Sequence, residues 1–202
     1  MAQTHEQPAG HRPDAVPHGH GLRLDRWDPD QESHVEAWWR GRADPDFLRW
    51  NTPLTPDIDL AGARAAMVGQ LAQAADGTCA PFRIADARSD TTLGHVGINV
   101  IDRVFRSARV GYWVLPEARG RRVATRALAL AADWTFAELG LYRLELGHAL
   151  GHDASCRVAQ TCGFPYEGTL RGAMFEAGRQ NAFRDVHLHA RLATDPGTAA
   201  EA

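Results

Sequence analysis

Between Gly21 and Leu192 the spacing of apolar residues switches repeatedly between two and about 3.6, and this alternation constrains the fold more than any single motif. It points to mixed α and β structure, and 202 residues suit one compact domain with short tails. GLRLDRW (21–27) reads as a first strand. Asp28–Asp30 offers turn and N-cap chemistry before a helix carrying Val35, Trp38 and Trp39. Thr55-Pro56-Asp57 opens a second helix through 61–75, which Asp76-Gly77 stops. The runs 80–86 and 92–101 flank a polar turn as in a hairpin, and 108–115 adds a third strand to form an antiparallel meander. Past Pro116, Val123, Ala127, Leu130, Ala131, Trp134 and Leu139 recur at helical spacing, with Gly140 where a left-handed C-cap belongs. A strand over 141–149, a short helix over 153–162 ended by Gly163, a strand beginning in FPYEGTLRG and a final strand over 183–192 complete the order. On that last strand His187, His189 and Arg191 share the face expected to meet solvent.

The ends differ in composition. The first twenty residues hold one Val, three Pro, two Gly and four His, too little apolar surface to offset the entropy of ordering them. Residues 1–20 and 193–202 are therefore expected as disordered tails around one domain over 21–192. His5, His11, His18 and His20 read as solvated rather than as a metal site. Neither a signal-peptide pattern nor a run of about 20 apolar residues is present, so no membrane association is expected. Twenty-two basic and 25 acidic residues leave a net charge of −3, which provides no overall cationic field for nucleic acid. Cys79, Cys156 and Cys162 are odd in number and widely spaced, with no CxxC and no metal-ligand spacing. The expectation is a reducing, cytoplasmic setting and no metal.

Chemistry concentrates in Tyr112 to Thr125, a strand, a tight basic turn and a helix start. Such a turn presents free backbone N–H groups beside the positive end of the helix dipole, which suits a phosphate or pyrophosphate. Four arginines, 119, 121, 122 and 126, gather there although Arg in a first helical turn opposes the dipole. This segment resembles the GNAT acyl-CoA-dependent N-acetyltransferases, in particular the RimJ and RimL branch. The family signature is Gln/Arg-x-x-Gly-x-Gly/Ala. Arg119-Gly120-Arg121-Arg122-Val123-Ala124 matches it at the first and last positions and departs from it at Arg122, where the central Gly is usual. A second block agrees in order and spacing: Arg143-Leu144-Glu145-Leu146, His152-Asp153-Ala154-Ser155, Val158-Ala159, Gly163-Phe164 and Tyr166-Glu167-Gly168, then Arg171. His152 replaces the usual Asn.

The resemblance implies a GNAT fold, α/β in the α+β sense. Its mixed, mostly antiparallel sheet of six to seven strands splays between 108–115 and 141–149, with about four flanking helices. It implies acetyl-CoA as acyl donor, with its pantetheine arm held by the backbone of Trp113, Val114 and Leu115. The phosphates would be held by Arg119, Gly120, Arg121, Arg122, Val123, Ala124 and Thr125, with His152 and Ser155 nearby. Trp113 is equally explained by core packing. The implied reaction is acetyl transfer to a primary amine by direct attack in a ternary complex. The acceptor is a protein N-terminal amine or a small molecule such as an antibiotic or metabolite.

Attack on a thioester requires a neutral amine, so a general base is useful. Glu145 is the candidate, with a carboxylate of the 28–59 region as the other source. For the departing thiolate, Ala159 stands where related enzymes carry a Tyr, leaving Ser155 as acid or, equally, as a helix-start residue. No His and Asp or Asn stand at an informative spacing from Cys156 to mark a nucleophile, and a buried structural role is the commoner one. Trp38, Trp39 and Trp50 are candidates for the acceptor pocket, because adjacent Trp38 and Trp39 point about 100° apart on a helix. Arg122 and His152 also favour a second reading, a degenerate domain that binds CoA or a partner without turnover. A homodimer is one assembly the resemblance implies.

Overall fold

The computed structural model describes residues 16–51, 59–176 and 179–196. Eight strands form one sheet: β1 His18–Gly19, β2 Leu22–Asp25, β3 Ala80–Asp86, β4 Thr92–Asp102, β5 Ser107–Val114, β6 Arg143–Ala149, β7 Tyr166–Glu176 and β8 Arg179–Leu192. Five α-helices accompany them: α1 Glu32–Ala43, α2 Pro45–Trp50, α3 Leu60–Ala75, α4 Val123–Glu138 and α5 Asp153–Thr161. A 3₁₀ turn, Pro116–Ala118, links β5 to α4. The sheet order is β1-β2-β3-β4-β5-β6-β8-β7, antiparallel throughout except for the parallel pair β5 and β6.

The mixed fold and the β3–β4–β5 meander match the reading of the sequence, with one more strand and one more helix than expected. The extra strand is β1, inside the stretch expected to be a disordered tail; it pairs with β2, and the Leu24 N–H donates to the Pro17 carbonyl. At the other end the Ala193 N–H donates to the Tyr142 carbonyl and the Asp195 side chain accepts from the Leu192 N–H. Backbone pairing thus orders residues that composition alone would leave loose. The extra helix is α2. Asp44 caps it, accepting from the Asp46 and Phe47 N–H groups, and Pro45 takes its first position, where no N–H is needed. Asp28 makes an Asx turn with the Asp30 N–H rather than capping α1, whose N-cap is Gln31. The expected helix start at Thr55–Asp57 lies outside the described residues; Asp59 caps α3 through the Gly62 N–H. Gly140 (φ +62°) and Gly163 (φ +74°) end α4 and α5 in the left-handed conformation that glycine adopts most readily.

Two cores lie on opposite faces of the sheet. On one, α4 and α5 cover Leu22, Leu24, Ile84, Val96, Ile98, Val110, Leu144 and Leu146. On the other, Trp27, Val35, Trp38, Phe47, Met67, Trp113 and Leu115 pack together under α1, α2 and α3. Strand alternation therefore sends neighbours Tyr112 and Trp113 into different cores.

The expected solvent face of β8 is overturned. His189 is fully buried and Arg191 is 3% exposed, because α5 brings Cys156 over His189 while α4 brings Asp133 and Phe136 to the Arg191 guanidinium. Alternation along a strand marks two faces; it does not say which are roofed by helices. No helix among the described residues is long and apolar enough to cross a membrane.

Candidate functional site

β5 and β6 pair only over Ser107, Ala108 and Arg109 with Arg143, Leu144 and Glu145. Beyond that point β5 keeps β4 as its ladder partner and β6 keeps β8. A cleft of about 620 Å³ opens where the shared ladder stops. Tyr112, Trp113 and Val114 of β5 form one wall and residues 151–155 at the start of α5 another. The turn into α4 closes one end, and Asp46, Phe47 and Trp50 of α2 reach over it.

The turn explains how the sequence departs from the Gly-containing pattern. Arg122 is the N-cap of α4 and adopts φ +54°, ψ +22°, the left-handed region in which glycine is at ease and an L side chain costs about 1 kcal/mol. Among the described residues no side chain caps the helix, so the first-turn N–H groups of Val123, Ala124 and Thr125 face the cleft end without a capping acceptor. Such a terminus suits an anion.

The four arginines divide. Arg119 is spent within the protein: its Nη2 donates to Asp44 Oδ1 at 2.5 Å, its Nη1 to Asp46 Oδ2 at 2.9 Å and its Nε to the Val114 carbonyl at 3.2 Å. It ties α2 to the end of β5. Arg126 is likewise used, donating to the carbonyls of His20 and Arg121. Arg121 and Arg122 make no hydrogen bond or ion pair through their side chains among the described residues, and of the two only Arg122 lines the cleft. The residue that breaks the signature is the one left with a free charge at its mouth.

Deeper in the cleft, the Tyr112 hydroxyl lies 2.9 Å from Ser155 Oγ. Burial, only partly offset by that hydrogen bond, pushes the Tyr112 phenol well above its usual range, so it keeps its proton at any physiological pH. Ser155 is buried and its hydroxyl serves this contact rather than a helix cap; the N-cap of α5 is His152. The His152 ring stacks flat on Trp50 at 4.6 Å. Burial, then the neighbouring His148, lower its pKa to about 4, so the imidazole is neutral near pH 7.

Of the residues singled out by sequence, the cleft gathers Trp113, Val114, Arg119, Gly120, Arg122, Val123, Ala124, Thr125, His152, Ser155 and Trp50. Five lie elsewhere. Leu115 is buried under α1, and its N–H donates to the Leu93 carbonyl. Arg121 is not part of the lining. Trp38 is 3% exposed in the aromatic cluster with Trp27, His95 and Trp113, and Trp39 packs against the same core. Glu145 sits in the paired stretch of β6, where its Oε1 accepts from Arg143 Nε at 2.9 Å and its Oε2 lies 3.7 Å from Arg109 Nε. It is a strand residue in an ion-pair cluster with Glu167, not a group at the cleft. Sequence reasoning missed Tyr112 and Asp46. Alternation already placed Tyr112 opposite Trp113, and Asp44-Pro45 carried the helix-start signature that would have brought α2 to the site.

Residues 22–165 match the family described as the acetyltransferase (GNAT) domain. The chain belongs to the GNAT family. Spermidine N(1)-acetyltransferase of Escherichia coli (strain K12) is 35% identical over 92 residues, 45% of this chain and 50% of that protein. Ribosomal-protein-serine acetyltransferase of the same strain is 30% identical over 106 residues, 52% and 57% of the two chains. The chain spans about half the length of the curated relatives it matches. The structure of Mycobacterium smegmatis RimJ in complex with CoA-disulfide superposes with a TM-score of 0.73 at 29% identity, covering 85% of this chain and 81% of that one. These likenesses set it in the RimJ/RimL-like branch of the GNAT family. In this GNAT domain, then, the turn at 119–125 and the gap between β5 and β6 lie in one cleft.

Proposed function

We propose that this domain transfers an acetyl group from acetyl-CoA to a primary amine by direct attack within a ternary complex. The observation that carries the reading is the coincidence, in one cleft, of an uncapped helix N-terminus, a strand stretch without a second ladder partner, and a buried hydroxyl pair. The first suits the pyrophosphate, with Arg122 adding charge. The second offers the backbone that faces away from β4, that of Tyr112 and the Val114 N–H, to the amides of the pantetheine arm, as a further strand would. The third supplies, in this reading, a donor for the departing thiolate: Ser155 Oγ–H gives a hydrogen bond to sulfur, while Tyr112, held protonated by burial, donates to Ser155.

The bonds balance simply. The amine nitrogen forms a bond to the acetyl carbonyl carbon, the carbon–sulfur bond breaks, and the thiolate leaves with the Ser155 hydrogen bond until it gains the proton shed by the amine. Cys156 is outside the cleft lining, which favours direct transfer over an acyl-cysteine. The carboxylates lining the cleft among the described residues are Asp46, engaged by Arg119, and Asp153. Among the described residues Asp46 is held by Arg119 and burial leaves His152 a weak base, which favours an acceptor of low basicity. An α-amine with a pKa of about 7.7–8.0 is roughly a tenth neutral at pH 7, whereas an amine near 10.4 is almost wholly protonated. A peptide or protein N-terminus is therefore the preferred acceptor, a small-molecule amine the second.

Free-thiol release from acetyl-CoA, followed with N-terminal peptides and with polyamines, tests this. Turnover with peptides, and less with polyamines, is expected. Thermal stabilisation by acetyl-CoA without thiol release across a broad panel would instead support a degenerate binding domain, and no stabilisation would remove the cofactor assignment.

A further inference from the structure

Behind the cleft lies a second cluster to which the transfer reaction gives no role. His148 of β6, His189 of β8 and Cys156 of α5 bring one ligand atom each within 4.8 Å of one another. None of the three lines the cleft. The β6–β8 register makes the placement: His148 pairs with His187 and Leu146 with His189, so the two histidines sit diagonally on the face that α5 roofs.

Their hydrogen bonds set the tautomers. The Nδ1 of His189 lies 3.0 Å from the Phe164 carbonyl and the Nδ1 of His148 lies 3.1 Å from the Ala149 carbonyl. A carbonyl only accepts, so each Nδ1 carries a proton, and in the neutral imidazole Nε2 is then the nitrogen with the lone pair. His189 Nε2 faces Cys156 Sγ at 3.6 Å. Among the described residues His148 Nε2 has no partner, although the residue is only 5% exposed. Leaving such an acceptor buried and unpaired is unfavourable. Metal-bound histidines commonly donate their other N–H to a backbone carbonyl, as both do here.

We propose that His148 Nε2, His189 Nε2 and Cys156 Sγ form a binding site for a borderline-soft divalent cation, Zn²⁺ being the best match to two imidazoles and one thiolate. In a tetrahedral zinc site, bond lengths of about 2.0–2.1 Å to nitrogen and 2.3 Å to sulfur put ligand atoms roughly 3.3–3.8 Å apart. The Cys156–His189 separation already has that value, and the third ligand must close by about 1 Å. Cys156, half-buried, leaves an approach from solvent. Binding is not redox chemistry: the Cys156 S–H bond gives its proton to solvent, and the thiolate and two neutral imidazoles each supply an electron pair to the metal. The metal would pin the first turn of α5 to β6 and β8. That turn carries Ser155, and His148 packs edge-on against His152 at 6.0 Å, so the site braces the cleft wall. The sequence hides it, because ligands at 148, 156 and 189 come from three elements and make no motif spacing.

The test uses the full chain stripped with a chelator and titrated with Co²⁺, which reports thiolate ligation by an S-to-cobalt charge-transfer absorption that histidine-only sites in the N-terminal region cannot give. One equivalent is expected to produce this band, Zn²⁺ to abolish it by displacement, and Zn²⁺ to raise Tm. Cys156→Ser should lose the band, and His148→Gln should weaken Zn²⁺ binding at least tenfold. Because either variant could fold poorly, modification of the wild-type thiols is followed by mass spectrometry: Zn²⁺ should protect Cys156 and leave Cys79 and Cys162 unchanged. Absence of the band, or its persistence in a folded Cys156→Ser variant, or no protection of Cys156, would overturn the proposal. None of these readouts depends on acetyl transfer.

Discussion

His95 should make this protein acid-sensitive in a way that one substitution can isolate. Its ring is buried under Trp113, stacked at 5.7 Å, and Trp27 Nε1 donates to its Nδ1 at 3.0 Å. Burial, then the positive charge of Arg42, hold its pKa down to about 3 against an ordinary 6.5. Protonation would also set an Nδ1–H against the Trp27 N–H, two donors facing each other. Between those two pKa values the unfolded chain binds a proton that the native protein refuses, so stability rises with pH there by about 1.4 kcal/mol per unit. The contribution is complete above pH 6.5 and is lost as pH falls toward 3. From pH 7 to 5 the loss is about 2 kcal/mol. His95→Asn keeps an acceptor near the Nδ1 position but does not titrate; the lost ring packing costs it about 2–4 kcal/mol at pH 7. Urea unfolding followed by tryptophan fluorescence at pH 7, 6 and 5 should show the gap between the two proteins shrinking by about 2 kcal/mol. Other acid-labile groups are common to both and cancel. Parallel stability curves would refute the assignment of a buried, neutral His95.

Other outcomes follow from the cleft and its supports. Arg122→Ala and Arg122→Gly should weaken acetyl-CoA binding equally, about threefold to tenfold by calorimetry, while the Gly variant is more stable than the Ala variant by about 1 kcal/mol because only it relieves the positive φ. Ser155→Ala should lower kcat at unchanged KM by roughly tenfold or more, and Tyr112→Phe by less, measured as thiol release. Glu145→Gln should leave the rate and its pH profile near wild type, since Glu145 lies in the ion-pair cluster on β6. Gly41→Ala would set a Cβ 2.2 Å from the Trp113 ring; α1 or the ring must move, at about 1–3 kcal/mol and a lowered Tm in calorimetry.

The elements were legible in the sequence because local rules governed them: the period along β3, β4 and β5, the helical spacing of α4, and glycines ending α4 and α5. The basic turn was legible too, since its position between a strand and a helix is itself a local fact. Tertiary structure decided how those residues are used. Arg119 and Arg126 look like anion ligands in the sequence, yet partners 75 and 106 residues away occupy them. Glu145 follows the family pattern, but the register of β5 against β6 leaves it in the paired stretch, three residues short of Tyr112's level in the opening. His189 and Arg191 read as solvent-facing until α5 and α4 roof them. Most of the order of strands and helices, and the position of the basic turn, follow from the sequence alone, because dihedral preferences and burial periods act over a few residues. Which charges stay free, which hydroxyls meet, and that two histidines and a cysteine converge were decided only when distant elements packed, because hydrogen bonds and ion pairs require atoms within about 3–4 Å and are blind to separation along the chain.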